Sequence, residues 1–133
     1  MDPASLDDVT RVAEFRAALR AFMRKSERNA RDSGLTPQRY LLLLMIKGAP
    51  DGRERSTVTE LAERLKLAQS TVTELVRRAE EVGLVERTQS QADGRVAYLE
   101  LTPEGERRLM RAFTSNEQER RELQAAIARL DGA

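Results

Sequence analysis

The residues best suited to chemistry form one short cluster of hydroxyl and charged side chains near the middle of the chain. They are Ser70, Thr71, Thr73, Glu74, Arg77 and Arg78. On a helix that turns by about 100° per residue, most of this cluster falls on one side, and the other side is apolar: Val72, Leu75, Val76, Ala79 and Val82. Short hydroxyls and guanidinium groups suit phosphate oxygens and base edges. The pattern predicts a helix over residues 69–82 that lies in the major groove of double-stranded DNA.

Two interpretations of Glu74 stay open on the sequence. Its carboxylate can accept a hydrogen bond from cytosine N4, the one base edge in the major groove that suits a carboxylate. It can also pair with Arg77 or Arg78 one turn further on, which would orient them and mute their charge. We favour the pairing.

A second charged cluster lies at the tip of a predicted hairpin over residues 85–101, where Asp93 and Arg95 flank Gly94. An exposed guanidinium at such a tip suits the narrow minor groove of A·T-rich DNA, and we expect Arg95 to enter it. Asp93 would hold the Arg95 side chain or brace the hairpin. Arg87, at the base of the hairpin, is expected to contact phosphate. The alternative is a solvated tip with an ordinary ion pair.

The composition argues against catalysis. The chain has no His and no Cys, so imidazole bases, thiol nucleophiles and the usual zinc ligands are absent. It also lacks a glycine-rich phosphate loop, and no carboxylate pair differs from ordinary helix charge patterning. We therefore predict no enzyme activity, no cofactor and no metal.

Apolar spacing and capping residues predict the elements that position these clusters. A long amphipathic helix starts at Ser5 and ends near Gly34, and a buried helix follows Thr36 and Pro37. Thr57 and Glu60 form a capping box that starts a short helix ahead of the helix at 69–82. After Gly83 the period changes to that of two short strands. The fold class is mainly α with a small β-hairpin wing.

Capping residues also predict the C-terminal helices. Thr102 and Pro103 start one helix, and a capping box of Ser115 and Gln118 starts a further one. The chain therefore ends in one kinked helix or two consecutive helices.

The stretch from Thr57 to Thr102 resembles the DNA-binding core of MarR-family regulators. Its most specific part is Asp93, Gly94 and Arg95 followed by a strand that closes on Leu101 and Thr102, which is similar to the wing of that family. The resemblance covers nearly the whole chain. It implies a winged helix-turn-helix over residues 35–102, with dimerisation helices over 1–34 and 103–133, in a transcriptional regulator that is often a ligand-responsive repressor.

Three residues depart from the family pattern. Lys66 stands in the turn where many relatives have glycine, so a left-handed backbone there would cost about 1 kcal/mol. Ala68 stands where a serine usually caps the recognition helix, and we expect Ser70, or Thr71 with Glu74, to supply the cap instead. Glu74 stands where a neutral or basic residue is more usual.

The flanking helices carry apolar faces that a core of about 45 residues is too small to cover. Packing against a second copy would cover them and set two recognition helices about 34 Å apart, on an inverted-repeat operator. We therefore expect a homodimer. The resemblance also implies a small aromatic or anionic effector, for which the candidate pocket residues are Arg16, Arg20, Arg39 and Tyr40.

Charge and hydropathy complete the expectations. No apolar run approaches the roughly 20 residues of a membrane span, and acidic residues stand where a signal peptide needs positive charge, so we expect a cytoplasmic protein. The net charge is +1, and residues 56–102 carry six basic and eight acidic side chains, a net charge of −2. DNA contact must then come from local geometry. A winged-helix module that binds protein and has lost specific DNA binding is the alternative.

Overall fold

The computed structural model describes residues 5–90, 92 and 94–131. Within those ranges the chain forms six helices and one three-stranded antiparallel sheet. The helices are α1 (Leu6–Asp32), α2 (Pro37–Lys47), α3 (Val58–Leu65), α4 (Gln69–Glu81), α5 (Pro103–Ser115) and α6 (Glu117–Leu130); the strands are β1 (Arg55–Ser56), β2 (Val85–Gln89) and β3 (Ala97–Leu101). The predicted fold class, mainly helical with a small wing, is confirmed.

Local side-chain caps start most of the helices where the sequence predicts. The Thr36 and Thr102 hydroxyls each accept a 3.1 Å hydrogen bond from a backbone N–H in the first turn of α2 and α5, and a proline follows each cap. Thr57 and Glu60 make both bonds of a capping box at α3. These starts were predictable because the cap and the groups that it satisfies are neighbours in sequence.

Two capping predictions were wrong. At α4 the N-cap is Ala68, and no side chain caps it, so neither Ser70 nor Thr71 takes that role. At α6 the expected box of Ser115 and Gln118 is absent, because α5 runs through Ser115 and α6 begins at Glu117. Asn116 stands between the two helices with its side chain buried, where it bonds to other helices rather than to the N-terminus of α6.

The sheet has one more strand than the predicted hairpin. Its order is β1-β3-β2, and Ser56 of β1 pairs with Leu99 of β3. A two-residue strand has no alternation that sequence could show, and it forms only because β3 offers an open edge. On the other edge β2 pairs with β3 from Val85↔Leu101 to Gln89↔Ala97.

Helix α2 lies at the centre of the core. It packs against α1, α3, α4, α5, β1 and β3, and its residues Leu42, Leu43 and Ile46 are fully buried. Helix α1 packs mainly along α6 and α5. Helices α1, α5 and α6 thus form a helical layer beside the module of α2 to β3. No helix in the described ranges combines the length and apolar composition that a membrane crossing needs.

Candidate nucleic-acid interface

The core side of α4 fixes which of its residues face outward. Val72, Val76 and Ala79 are fully buried against the core, as predicted. Leu75 is only half-buried, and Val82 is 48% exposed, since α4 ends before it at Glu81. A tight turn joins α3 to α4, and Lys66 in this turn has a left-handed backbone (φ 58°). Gln69 Nε2 donates a 3.2 Å hydrogen bond to Thr59 Oγ1, which ties the start of α4 to α3.

The outer side of α4 carries the predicted cluster. Ser70, Thr71, Thr73, Arg77 and Arg78 are exposed, and Glu74 is half-buried. Four of the six cluster residues line one shallow groove, together with Leu75 and with Gln38 of α2; the four are Ser70, Thr71, Glu74 and Arg78. Sequence reasoning missed Gln38, because it reaches this groove only through the packing of α2 against α4.

A network of ion pairs joins the charged residues of α4. Glu74 Oε2 accepts a 3.0 Å bond from Arg77 Nε, and Glu74 Oε1 accepts from Arg77 Nη2 and, at 3.0 Å, from Arg78 Nε. Arg77 Nη1 donates to Glu81. Hydrogen bonds from Arg77 and Arg78 lower the pKa of Glu74 from 4.5 to about 2, and the bond to Glu74 raises the pKa of Arg77. In the DNA-free protein Glu74 therefore pairs with both arginines.

An ion pair links the wing to α4. Arg87 Nη2 of β2 donates a 3.0 Å hydrogen bond to Glu80 of α4, so the orientations of wing and helix are linked. On β3 the Tyr98 ring lies 4.0 Å below the guanidinium carbon of Arg55, a cation–π contact that binds β1 to the wing. Arg95 is exposed at the tip. Asp93, the other predicted tip residue, lies outside the described residues.

A buried polar junction lies between the helical layer and the module of α2 to β3. Asn29 of α1 donates a 2.6 Å bond to Asn116, whose amide in turn donates to Tyr40 of α2 at 3.4 Å. Burial raises the pKa of Tyr40, although the bond from Asn116 and the charge of Arg120 act against this. Nothing in the local sequence marks these side chains as partners, because α1, α2 and the α5–α6 junction are far apart along the chain.

A small cavity of about 110 Å³ opens beside this junction, between α1 and α2. Its lining is mostly apolar: Phe22, Met23, Ser26, Glu27, Pro37, Tyr40 and Leu41. Of the four candidate pocket residues, Tyr40 lines this cavity. Arg16 and Arg20 instead line a separate open groove along α1, and Arg39 lies half-buried in the first turn of α2.

The described fold is that of a winged helix-turn-helix protein. It has the short helix α3, a tight turn, the second helix α4 with an exposed polar face, and an adjoining wing. Residues 33–96 match the family model described as MarR family. Over 89 residues the chain is 34% identical to YsmB, an HTH-type transcriptional regulator of Bacillus subtilis. That alignment covers 67% of this chain and spans 58% of the relative's length.

Solved structures agree with this assignment. The YusO protein of Bacillus subtilis superposes with a TM-score of 0.68 at 26% identity, over 97% of this chain and 99% of that one. The transcriptional regulator Tm0710 of Thermotoga maritima gives 0.65 at 28% identity, over 83% and 75% of the two chains. A mutant of MarR from E. coli, complexed with operator DNA, shares the fold with a TM-score of 0.66 at 20% identity, over 81% and 75%. Residues 33–96 thus match the MarR family, and the described chain shares the fold of these structures.

Proposed function

We propose that this protein is a sequence-specific regulator that binds double-stranded DNA, with residues 69–82 in the major groove and the wing, residues 85–101, at the minor groove. One observation carries the proposal: the hydroxyl and guanidinium groups of α4 lie together on its exposed side, and Arg87 ties that helix to the wing through Glu80. Such a surface offers base contacts in one groove and a guanidinium to the next. In support, AbfR, 25% identical over 77% of this chain, has been solved bound to DNA.

The predicted contact residues fall into groups with different roles in this proposal. Ser70, Thr71 and Thr73 donate to base edges or phosphates from the first turns of α4. Arg77 and Arg78 contact guanine or phosphate, and Arg87 contacts phosphate at the base of the wing. Arg95, with Asp93 as its brace, enters the minor groove.

The working unit in this proposal is a homodimer on an inverted repeat, with residues 1–34 and 103–133 forming the interface. Support comes from apolar residues that the single chain leaves uncovered at the start of α1 and on α6. Leu6, Val9 and Val12 are 79%, 57% and 52% exposed, and Ile127 is 47% exposed. A row of large apolar side chains at this exposure is typical of an interface. Light scattering that gives about twice the 15.0 kDa chain mass in solution would support the dimer.

The cavity between α1 and α2 supports a response to a small effector with an aromatic ring. Phe22, Met23 and Leu41 offer apolar contacts, and the Tyr40 hydroxyl offers one polar group beside them. An occupant would touch α1, which belongs to the proposed dimer interface, and α2, which packs on α4. On this basis we propose a ligand-responsive regulator, and the family resemblance favours a repressor.

The second candidate function is a protein-interaction module without specific DNA binding. The charge of −2 over residues 56–102 favours it, as do the ion pairs that Glu74 makes with the arginines of α4. The two functions differ in a measurable property, since only a specific DNA binder enriches a sequence from a random pool.

Selection from a random duplex pool with the purified protein tests the proposed function. We expect enrichment of an inverted repeat whose half-sites lie about one helical turn apart. A gel shift on the selected site should weaken steeply with salt, because phosphate contacts release counterions. A pool that stays random after repeated rounds would contradict DNA regulation and favour the protein-interaction module.

A further inference from the structure

The ion-pair network of α4 leaves its two arginines electrically neutralised. All three nitrogen atoms of the Arg77 guanidinium donate to carboxylates, two to Glu74 and one to Glu81. Arg78 donates to the same Glu74 oxygen as Arg77. Glu74, Arg77, Arg78 and Glu81 thus carry a net charge of zero on the surface that is proposed to meet DNA.

This arrangement should weaken the binding of Arg77 to a phosphate more than its binding to a base edge. A guanidinium has five N–H groups, and three bonds to carboxylates leave two for other acceptors. A guanine edge is neutral, so it can accept from these groups while the ion pairs persist. A phosphate instead brings its negative charge close to Glu74 and Glu81. Attraction to the DNA backbone, which dominates non-specific binding, is therefore weakened more than base contact.

We propose that Glu74 is a specificity-determining residue, which reduces binding to non-operator DNA by holding Arg77 and Arg78 along the helix. The proposal rests on the proposed function, DNA binding through α4. Specificity is a difference between two affinities, and here it is gained by weakening the unwanted one. Glu74 is well placed for this because its carboxylate contacts both arginines, whereas Glu81 contacts Arg77 alone.

Replacing Glu74 by Gln tests the proposal, since the side chain keeps its shape and loses its charge. Dissociation constants of wild type and Glu74→Gln are measured over a range of salt concentrations, on a random-sequence duplex and on the selected site. On the random duplex we expect affinity to rise about three- to tenfold and the slope of log K against log salt to steepen by about one to two. On the selected site the gain is smaller, so the ratio of the two affinities falls.

Two control variants separate this effect from a general change of charge. Glu54→Gln removes the same charge from the loop ahead of β1, where Glu54 pairs with Lys47 of α2, and we expect it to leave both duplex affinities and slopes unchanged. Glu81→Gln releases one bond to Arg77 and should give a smaller change than Glu74→Gln. Circular dichroism verifies that each variant keeps its helix content.

The outcomes separate this proposal from the proposed function. Unchanged affinity and slope of Glu74→Gln on the random duplex would overturn it, whether or not the wild type selects a site. Loss of selected-site affinity at one G·C position, with random-duplex binding unchanged, would also overturn it and assign Glu74 to base reading. If the wild type selects no site and Glu74→Gln still binds the random duplex more tightly, Glu74 restrains the two arginines as proposed. The proposed sequence-specific regulation is then contradicted.

Discussion

Asn116, at the junction of α5 and α6, accepts a 2.6 Å hydrogen bond from the side chain of Asn29 in α1. Both side chains are buried, at 1% and 8% exposure. Asn29 also donates to the Ser115 carbonyl at 3.1 Å, and Asn116 donates to the Tyr40 hydroxyl of α2 at 3.4 Å. Asn116 therefore links α1, through Asn29, to α2, through Tyr40.

Asn116→Ala should destabilise the fold by about 1–3 kcal/mol, because it leaves the Asn29 amide and the Tyr40 hydroxyl with fewer buried partners. Urea denaturation followed by circular dichroism measures this change. Gln118→Ala is the control, because Gln118 is exposed on α6 and its side chain donates a 3.2 Å hydrogen bond to the exposed Glu122. Equal stabilities of the two variants would contradict a structural role for the Asn29–Asn116 pair.

Gly105, buried in the first turn of α5, is predicted to tolerate no side chain. A Cβ there would lie 2.1 Å from the Leu84 carbonyl oxygen, and its backbone needs no left-handed conformation. Gly105→Ala should cost about 3 kcal/mol, since α5 must move away from Leu84. Gly83→Ala is the matched comparison. Its Cβ would meet nothing within 4 Å, but its φ of +76° makes alanine cost about 1 kcal/mol. Thermal unfolding that ranked Gly83→Ala as the more harmful would contradict this assignment.

Lys66 carries backbone strain that glycine would relieve. Its φ of 58° is left-handed, and its side chain is exposed in the α3–α4 turn. Lys66→Gly should raise stability by about 0.5–1 kcal/mol, because the relief of strain exceeds the added entropy of the unfolded chain. Lys66→Ala, which removes the side chain and keeps the strain, should change stability little. A melting temperature of Lys66→Gly below the wild-type value would show that the turn is unstrained.

Local interactions explain which parts of the fold were predictable. The helices that start after Thr36, Thr57 and Thr102 are each capped by a residue within three positions of the N–H that it satisfies. The local sequence is therefore enough to predict these starts. The strand β1, the buried state of Asn116 and the place of Gln38 depend on which elements pack together, and local spacing carries no information on that.

The candidate site divides in the same way. The outward side of α4 follows from helical periodicity, and its i, i+3 and i, i+4 ion pairs were among the alternatives. The link from Glu80 to Arg87 joins α4 to β2, and it was not anticipated because it depends on the angle of the wing.

Arg95→Ala should lower affinity for many DNA sequences and flatten the salt dependence, because a guanidinium in the minor groove contributes mainly through charge. Loss of one such contact changes the slope of log K against log salt by about one. Thr73→Ala is the contrasting variant: it should alter the selected sequence and keep the slope. Fluorescence anisotropy on the selected site and on random duplex measures both. Wild-type binding by Arg95→Ala would place the wing tip away from the DNA.

DNA affinity should depend little on pH between 5.5 and 8 at constant salt. The chain has no His, the side chain that ordinarily titrates in this window. The pKa of Glu74 is lowered from 4.5 to about 2, so its contribution is complete above 4.5 and is lost only as the pH falls towards 2. Its hold on Arg77 and Arg78 is therefore constant across the window. Glu74→Gln should shift affinity by the same factor at pH 5.5 and pH 8, and a gain confined to the higher pH would show that Glu74 titrates near neutrality.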